Sequence, residues 1–359
     1  MKKVLAILLV FALVFSAFAG GKKESKAASS AMKVGFVYIG TINDEGYTQA
    51  HDKGRLAVEA MGIETAYIEN VPENADCEKA IRDLIDQGCT LIYTTSFGFM
   101  DWTIKVAADY PNIKFAHCSG YKRAANVSTY FGKVFQARYL SGIAAGLKTK
   151  ANKIGYVAAF PIPEVIRGIN AFTLGVQSVN PASSVEVVWT STWFDPAVEK
   201  QAALDLLNKG CDVIAQHQDT TSPQIAAGER GAFAVGYNVP TPTAAPKAYL
   251  TAPLFHWDVF YVDDVKRALD GSWTSRAYWE GLSTGQVSLD ALTALNDPRA
   301  AGRIAEAEAK IKDGSFNPFT GPLSDQAGSV KVPAGTVMTD DEIWNMGWFV
   351  QGVTGTIPQ

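Results

Sequence analysis

Cysteine, histidine and charged residues are scarce in this chain, and their scarcity excludes several classes of protein. Four cysteines among 359 residues are too few for a disulfide framework. Cys89 and Cys211 each precede an apolar run, which favours small buried thiols. The four histidines are widely scattered, so their spacing predicts no metal site. A charged fraction of 19% and a hydrophobic fraction of 47% argue against disorder and a coiled coil and indicate an ordinary globular protein.

The motifs of common catalytic sites are also missing. The chain contains no G-x-S-x-G, H-E-x-x-H or C-x-x-C. His51 and Asp52 are neighbours in sequence and would not face each other on a helix, which makes them a poor acid/base pair. The formal net charge of -4 leaves no basic face for nucleic acid. We therefore predict a binding protein and not an enzyme, with no cofactor, no metal and no nucleic acid partner.

The N-terminus has the composition of an export signal. Two lysines precede an apolar run from Val4 to Phe18, which is short for a bilayer span, and small residues follow it. We expect a Sec signal peptide at 1–19, a flexible leader at 20–32, and a periplasmic or cell-surface location. The alternative is a membrane anchor that stays attached. No cysteine follows the apolar run, so a lipid would have no acceptor there.

The chain after the leader is predicted to open with a strand, a loop and a helix. The run from Val34 to Ile39 is rich in β-branched and aromatic residues, turn formers follow it, and a helical composition begins at Tyr47. In open α/β sheets, ligands bind outside the carboxyl ends of the strands. The loop from Thr41 to Tyr47 is therefore predicted to face a ligand.

The same order of elements occurs twice in the sequence. The segment KVGFV at Lys33 is matched by KIGYV at Lys153, and Asp83–Ile92 is matched by Asp205–Ile214. Two matches in register, about 120 residues apart, indicate an internal duplication. Neither first loop carries G-x-G-x-x-G or a G-K-[ST] lysine, so a nucleotide-phosphate site is not predicted. We predict an α/β fold of two Rossmann-like lobes joined by several strands, which close on a ligand by hinging.

Two β-rich segments are predicted to cross between the lobes, near 126–132 and near 249–255. The expected division is 33–128 with about 252–285 for the first lobe, 129–251 with about 286–322 for the second lobe, and 323–359 as a C-terminal extension.

Aromatic and polar side chains cluster at the predicted strand ends. The predicted ligand-binding residues are Asp44, Tyr47, Thr48, Phe97, Phe99, Trp193, Phe194, Asp219, Asn238 and Trp257. The wider set includes Gln49, Glu164, Asp195, Gln218 and Tyr237, together with His217, which alternates with Asp219 at a strand end. Rings stacked on a planar ligand, with Asp and Asn at its edge, are a usual way to hold a heteroaromatic base, and each ring contributes about 1–3 kcal/mol.

The alternative is that half of these aromatic residues belong to the cores of the lobes. The heteroaromatic interpretation requires Phe97, Phe194 and Trp257 to face a common cavity.

Several stretches resemble the basic membrane protein (BMP) family of ABC-importer solute-binding proteins, whose best-known members bind purine nucleosides. The opening motif G-x-x-D-x-S-F-N-x-x-x-x-x-G is partly matched at Asp44, Tyr47, Gln49 and Gly54. The Y-L-A-G-x-x-A-A helix of the family is matched in part by Tyr-Leu-Ser-Gly-Ile-Ala-Ala at 139–145. The other matches are F-x-D-P at 194–196 without its intervening residue, and G-x-D-V-I at 210–214. The resemblance covers about 33–322. It implies a type I periplasmic-binding-protein fold, a monomer, a purine-like ligand and an ABC permease as partner.

The departures from the family pattern point to a particular ligand. Asn238 stands where nucleoside binders carry an aspartate. The tripeptide Phe-His-Trp at 255–257 stands where they carry a lysine thought to contact the ribose. Lost charges and gained aromatic rings favour a smaller, less polar ligand. We expect a free purine base, with adenine first and nucleosides second. The alternatives are a secreted nucleoside-processing enzyme and a ligand-sensing receptor domain.

Overall fold

The computed structural model describes residues 32–358, in which strands and helices alternate. The strands are β1 (Lys33–Val37), β2 (Glu64–Ile68), β3 (Leu91–Thr94), β4 (Lys114–Cys118), β5 (Val127–Gly132), β6 (Lys153–Ala158), β7 (Ser184–Trp189), β8 (Val213–His217), β9 (Phe233–Val235), β10 (Tyr249–Thr251), β11 (Pro253–Phe255), β12 (Ala277–Glu280), β13 (Val287–Leu289), β14 (Leu323–Ser324), β15 (Val330–Val332) and β16 (Val353–Thr354). The helices are α1 (Tyr47–Glu59), α2 (Ala75–Asp86), α3 (Met100–Asp109), α4 (Phe135–Lys148), α5 (Pro163–Val179), α6 (Pro196–Asn208), α7 (Ser222–Glu229), α8 (Trp257–Asp270), α9 (Ala300–Lys312) and α10 (Asp340–Trp344).

The predicted signal peptide and almost all of the predicted leader lie outside the described residues. Within 32–358, no helix is both long enough and apolar enough to cross a membrane.

Two six-stranded sheets carry the fold. Their strand orders are β2-β1-β3-β4-β5-β12 and β7-β6-β8-β9-β10, with β16 added beside β7 in the second. Neighbouring strands within both sheets are parallel. The first five strands of each sheet therefore follow the same order, second-first-third-fourth-fifth. The prediction of two Rossmann-like α/β lobes is confirmed.

The duplicated sequence segments pack in the same way in both lobes. A Cβ on Gly35 would lie 3.1 Å from Leu84 Cδ1 and 3.2 Å from Cys89 Sγ. A Cβ on Gly155 would lie 2.9 Å from Leu206 Cβ, and Leu206 matches Leu84 in the repeat. In each lobe a glycine in the first strand therefore lets a leucine, on α2 or α6, pack directly against the sheet.

The end of the chain returns to the second sheet. Strand β16 pairs with β7, so the residues predicted as a C-terminal extension supply an edge strand. Asn170 on α5 binds the backbone that precedes this strand. Its Nδ2 donates to the carbonyl of Trp348 at 2.7 Å, and the N–H of Val350 donates to its Oδ1 at 3.0 Å. This buried amide therefore uses both ends of its side chain on the returning backbone.

All four cysteines are free and buried, as predicted for Cys89 and Cys211. Burial raises the pKa of both thiols to about 11, so they are protonated at neutral pH.

Candidate functional site

A cavity lies between the carboxyl ends of the two sheets. The residues that line it from the first lobe, called the first wall below, are Ile39, Tyr47, Ser96, Phe97 and Ser119. Those from the second lobe, the second wall, are Glu164, Trp193, His217, Asp219 and Tyr237. Each residue follows or ends a parallel strand, where open α/β sheets bind ligands.

Asp44 positions the first wall by capping α1. Its carboxylate accepts hydrogen bonds from three backbone N–H groups at the start of the helix, including that of Thr48 at 2.8 Å. Tyr47 is the first residue of this helix, and its hydroxyl donates to the carbonyl of Thr95 at the end of the third strand. The tyrosine ring is therefore fixed from both ends.

The loop after β3 carries Ser96 and Phe97 and is anchored by Glu73. One carboxylate oxygen, Oε1 of Glu73, accepts from the hydroxyl of Ser96 at 2.5 Å and from the N–H of Gly98 at 2.7 Å. These bonds hold the short 3₁₀ turn Phe97–Phe99, which begins with the cavity-lining ring.

Three side chains of the second wall form a polar cluster. Nε2 of His217 lies 3.3 Å from Oε1 of Glu164 and 3.3 Å from the hydroxyl of Tyr237. Burial lowers the pKa of His217 to about 4, although the neighbouring Glu164 opposes that shift. The imidazole is therefore neutral at pH 7, and only one of its two nitrogens carries a proton.

Asp219 is the acidic residue at the centre of the second wall. Its exposed fraction is 4%, and its N–H donates to the carbonyl of Trp193 at 3.2 Å, which ties the two lining residues together. Burial, followed by the negative charges of Asp44, Glu199 and Glu164, raises its pKa well above the ordinary value. This carboxyl group is therefore far more easily protonated than an exposed one, and in that form it donates a hydrogen bond.

The two walls touch at Gly46. A Cβ at this position would overlap the carbonyl oxygen of Asp219. The loop after β1 thus closes onto the second wall because residue 46 has no side chain.

The structure brings four of the predicted ligand residues to the cavity, namely Tyr47, Phe97, Trp193 and Asp219. The others lie elsewhere, and each has a physical reason for its position.

The three displaced aromatic residues are Phe99, Phe194 and Trp257. Phe99 follows Phe97 by two positions in the tight turn and lies fully buried in the core of the first lobe. Phe194 is 39% exposed and does not line the cavity, whereas its neighbour Trp193 does. Trp257, 1% exposed, is stacked between His51 and Phe255 with ring centroids 4.3 and 4.5 Å apart. Of the three rings required to face one cavity, Phe97 does so, while Phe194 and Trp257 do not line it. The required trio is therefore wrong, and the rings available to a planar ligand are Tyr47, Phe97 and Trp193 instead.

The displaced polar residues support the site from behind. Asp44 is used in capping α1, and Thr48 is buried in the first turn of that helix. Asn238 follows the cavity-lining Tyr237 in a left-handed conformation, with φ 70°, and its side chain is 1% exposed. Its side chain lies close enough to the Asp219 carboxyl group to lower the pKa of that group, against the larger effect of burial.

Six lining residues were not among the ten predicted ones. Glu164, His217 and Tyr237 belong to the wider polar and aromatic set, whereas Ile39, Ser96 and Ser119 have no distinctive sequence pattern. The serines directly follow β3 and β4, so a rule based only on strand ends would have included them.

Comparison with known proteins agrees with a solute-binding cavity. Residues 31–317 match the Bmp family model, described as "ABC transporter substrate-binding protein PnrA-like". The chain belongs to the Bmp family. The sequence resemblance to this family is thereby confirmed.

Two relatives of this Bmp family member span most of its length. It is 42% identical to a purine-binding protein of Brucella abortus, over 98% of this chain and 100% of that protein. It is 36% identical to a putative ABC transporter glucose-binding protein of Haloferax volcanii, over 94% of this chain and 83% of that protein.

Solved structures with low sequence identity share the fold. An ABC transporter solute-binding protein from Aeropyrum pernix K1 superposes with a TM-score of 0.70 at 20% identity, covering 87% of this chain and 95% of that one. A solute-binding protein from Conexibacter woesei gives a TM-score of 0.67 at 20% identity, covering 80% and 98%. The type I periplasmic-binding-protein fold expected for the Bmp family is confirmed.

Proposed function

We propose that this ABC transporter substrate-binding protein captures a purine base outside the cytoplasm, with adenine first and nucleosides second, and delivers it to an ABC permease. The observation that carries the proposal is the cavity itself, in which aromatic rings from both walls surround a buried carboxyl group. The purine-binding relative from Brucella abortus supports the ligand class.

The rings are placed to hold the faces of a planar ligand. Phe97 and Tyr47 belong to the first wall, and Trp193 stands on the second. Stacking on an aromatic side chain contributes about 1–3 kcal/mol per ring. A flat heterocycle between the walls thus binds most tightly when both of its faces are covered. Binding therefore favours closure of the lobes over it.

The second wall supplies the groups that distinguish one heterocycle from another. The edge of adenine carries an amino donor and ring-nitrogen acceptors. Carboxylate oxygens of Glu164 accept from an N–H donor, and a protonated Asp219 donates to a ring nitrogen. Leaving a buried base nitrogen unpaired costs about 1–3 kcal/mol, so these contacts determine specificity.

The base is placed ahead of the nucleoside because of charge. The residues that line the cavity include no lysine or arginine to meet a ribose.

Isothermal titration calorimetry of the purified protein with adenine, adenosine and glucose tests the proposal. We expect one adenine per chain and weaker binding of adenosine. Tighter binding of adenosine would reverse the order of base and nucleoside. Binding of glucose without binding of either purine would overturn the ligand class, in line with the relative from Haloferax volcanii.

Chromatography of the incubated ligand separates capture from catalysis. We expect adenine and adenosine to be recovered unchanged after prolonged incubation with the protein. Release of free base from adenosine would instead support a nucleoside-processing enzyme.

A further inference from the structure

Gly168, in the first half of α5, is a glycine that neither backbone conformation nor helix packing explains. It lies within a 17-residue helix, where glycine is less favourable than alanine. Its φ is an ordinary helical value, and a Cβ there would meet no atom closer than 3.8 Å. By contrast, a Cβ on Gly175 of the same helix would overlap the carbonyl of Tyr139, and one on Gly142 would overlap that of Phe172. Those two glycines let α4 and α5 pack closely, whereas Gly168 leaves space free.

Three polar atoms converge on the space beside Gly168. Nε of Arg138, Nδ1 of His217 and the hydroxyl oxygen of Tyr156 each lie 3.8 Å from the position that its Cβ would take. All three atoms are buried, and none has a hydrogen-bond partner among residues 32–358. Buried polar groups in proteins are almost always hydrogen-bonded, to protein or to ordered water. Side chains from α4, β6 and β8 thus point to one common partner.

We propose that a buried water molecule binds beside Gly168 to Arg138, Tyr156 and His217, and that it holds the His217 ring in the tautomer with its proton on Nε2. Buried waters typically make about three hydrogen bonds to groups that are otherwise unsatisfied. Here the N–H of Arg138 and the O–H of Tyr156 donate to the water, and the water donates to Nδ1 of His217.

The contact with Glu164 favours water over an anion. An anion in this space would need the imidazole proton of His217 on Nδ1. Nε2 would then be unprotonated, with its lone pair facing the Glu164 carboxylate at 3.3 Å. Two acceptors at that distance repel each other. With water, Nε2 carries the proton and donates towards Glu164, so every contact pairs a donor with an acceptor.

The guanidinium of Arg138 is rigid enough to define such a site. Its Nη1 donates to the carbonyl of Gln216 at 2.7 Å, and its Cζ lies 3.8 Å from the ring centroid of Tyr237. No carboxylate among the described residues pairs with it within 4.0 Å. Arg138 is thus a positioning residue, which supports Tyr237 on one side and the water on the other.

The water affects recognition through His217. This consequence rests on the proposed function, because it assumes a ligand in the cavity. With its proton on Nε2, His217 directs a donor to Glu164 and fixes the carboxylate. The remaining lone pairs of Glu164 then favour a ligand that offers an N–H, such as the amino group of adenine.

The variant Gly168→Ala tests the site, because its methyl group fills the space without a clash. Gly302→Ala on α9 is the control, since a Cβ there meets nothing within 4 Å and the helical gain of alanine is the same. Nitrogen-15 NMR of the ligand-free protein should show a protonated Nε2 and an unprotonated Nδ1 for His217 in wild type and Gly302→Ala. We expect Gly168→Ala to lose that single tautomer and to bind adenine about tenfold more weakly, the factor for about one hydrogen bond.

A protonated Nδ1 in the wild-type protein would overturn the proposal, even if Gly168→Ala does not fold. So would a high-resolution crystal structure of the wild type without a water within hydrogen-bonding distance of Arg138 Nε and His217 Nδ1. The tautomer is measured without ligand, so failure of adenine to bind would refute the proposed function and leave this test intact.

Discussion

The two walls of the cavity are built on the same backbone pattern but carry different chemistry. The first wall holds aromatic rings, hydroxyls and one isoleucine, with no carboxyl group. The second wall holds Glu164, His217 and Asp219 in addition to its rings. Tyr47 and Glu164 occupy corresponding places, at the start of the helix that follows the central strand of each lobe. The duplication has therefore kept the same frame in both lobes. On the proposed function, the first wall covers the faces of a ligand and the second wall distinguishes one ligand from another.

The largest expected effect is on the contact between the walls. Gly46→Ala places a methyl group against the carbonyl of Asp219 and keeps the lobes from closing fully. We expect affinity for adenine to fall about hundredfold or more, because the closed state becomes rarely populated. Calorimetry measures the affinity, and small-angle scattering should show that the variant does not compact on ligand addition. Gly347→Ala, where a Cβ meets nothing within 4 Å, is the control. Normal compaction of Gly46→Ala would contradict the account.

The next effect concerns the second wall. Asp219→Ala removes the buried carboxyl group and should weaken adenine binding by about tenfold to hundredfold, the cost of one unpaired base nitrogen. Thermal stability should not fall, because the ionised form of this buried group is unfavourable. The control is Asp86→Ala on the exposed end of α2. Equal affinities of the two variants for adenine would show that Asp219 does not contribute to ligand binding.

A similar or smaller effect is expected for the first wall. Phe97→Ala removes one stacking ring and should weaken binding by about 1–3 kcal/mol with little change in the preference for adenine over adenosine. Phe194→Ala is a matched control, since this ring is 39% exposed and does not line the cavity. A loss of the preference for adenine over adenosine in Phe97→Ala would remove the distinction between the walls.

The last prediction concerns stability and not binding, and it lies behind the second wall. Burial raises the pKa of Glu199 to about 7, from its ordinary 4.5, while its carboxylate accepts from Thr220 and from the N–H of Asp195. The folded state then holds this proton more tightly than the unfolded state, so the free energy of unfolding falls as pH rises from 4.5 to 7. The slope approaches about 1.4 kcal/mol per pH unit for one group.

Urea unfolding between pH 4.5 and 7.5 measures this slope. The difference in unfolding free energy, wild type minus Glu199→Gln, should fall with rising pH. For Glu306→Gln on α9 the same difference should stay nearly flat across this window, because the bond from Lys310 lowers the pKa of that exposed carboxylate below its ordinary 4.5. A difference that is flat across the window for Glu199→Gln would contradict the pKa assignment.

The sequence was sufficient to predict the frame, because the frame depends on local patterns. Apolar runs and helix periodicity placed the strands, and the repeated glycine, leucine and cysteine positions showed the duplication. Strand ends then gave the location of the site. Tyr47 and Phe97 follow directly from that rule.

The direction of individual side chains could not be predicted in the same way. Trp193 and Phe194 are adjacent in a loop, and only the local backbone decides which ring enters the cavity. Trp257 begins α8, whose packing against Gly54 of α1 buries the indole, and that contact joins residues about 200 positions apart. Long-range packing of this kind leaves no periodic pattern in a single sequence.

A crystal structure of the protein with adenine tests the central claim most directly. The account predicts a purine ring stacked on Phe97 from the first wall, with its edge within hydrogen-bonding distance of Asp219 on the second. Adenine bound outside the cavity, or inside it with its edge turned away from Asp219 and Glu164, would contradict the division of roles between the two walls.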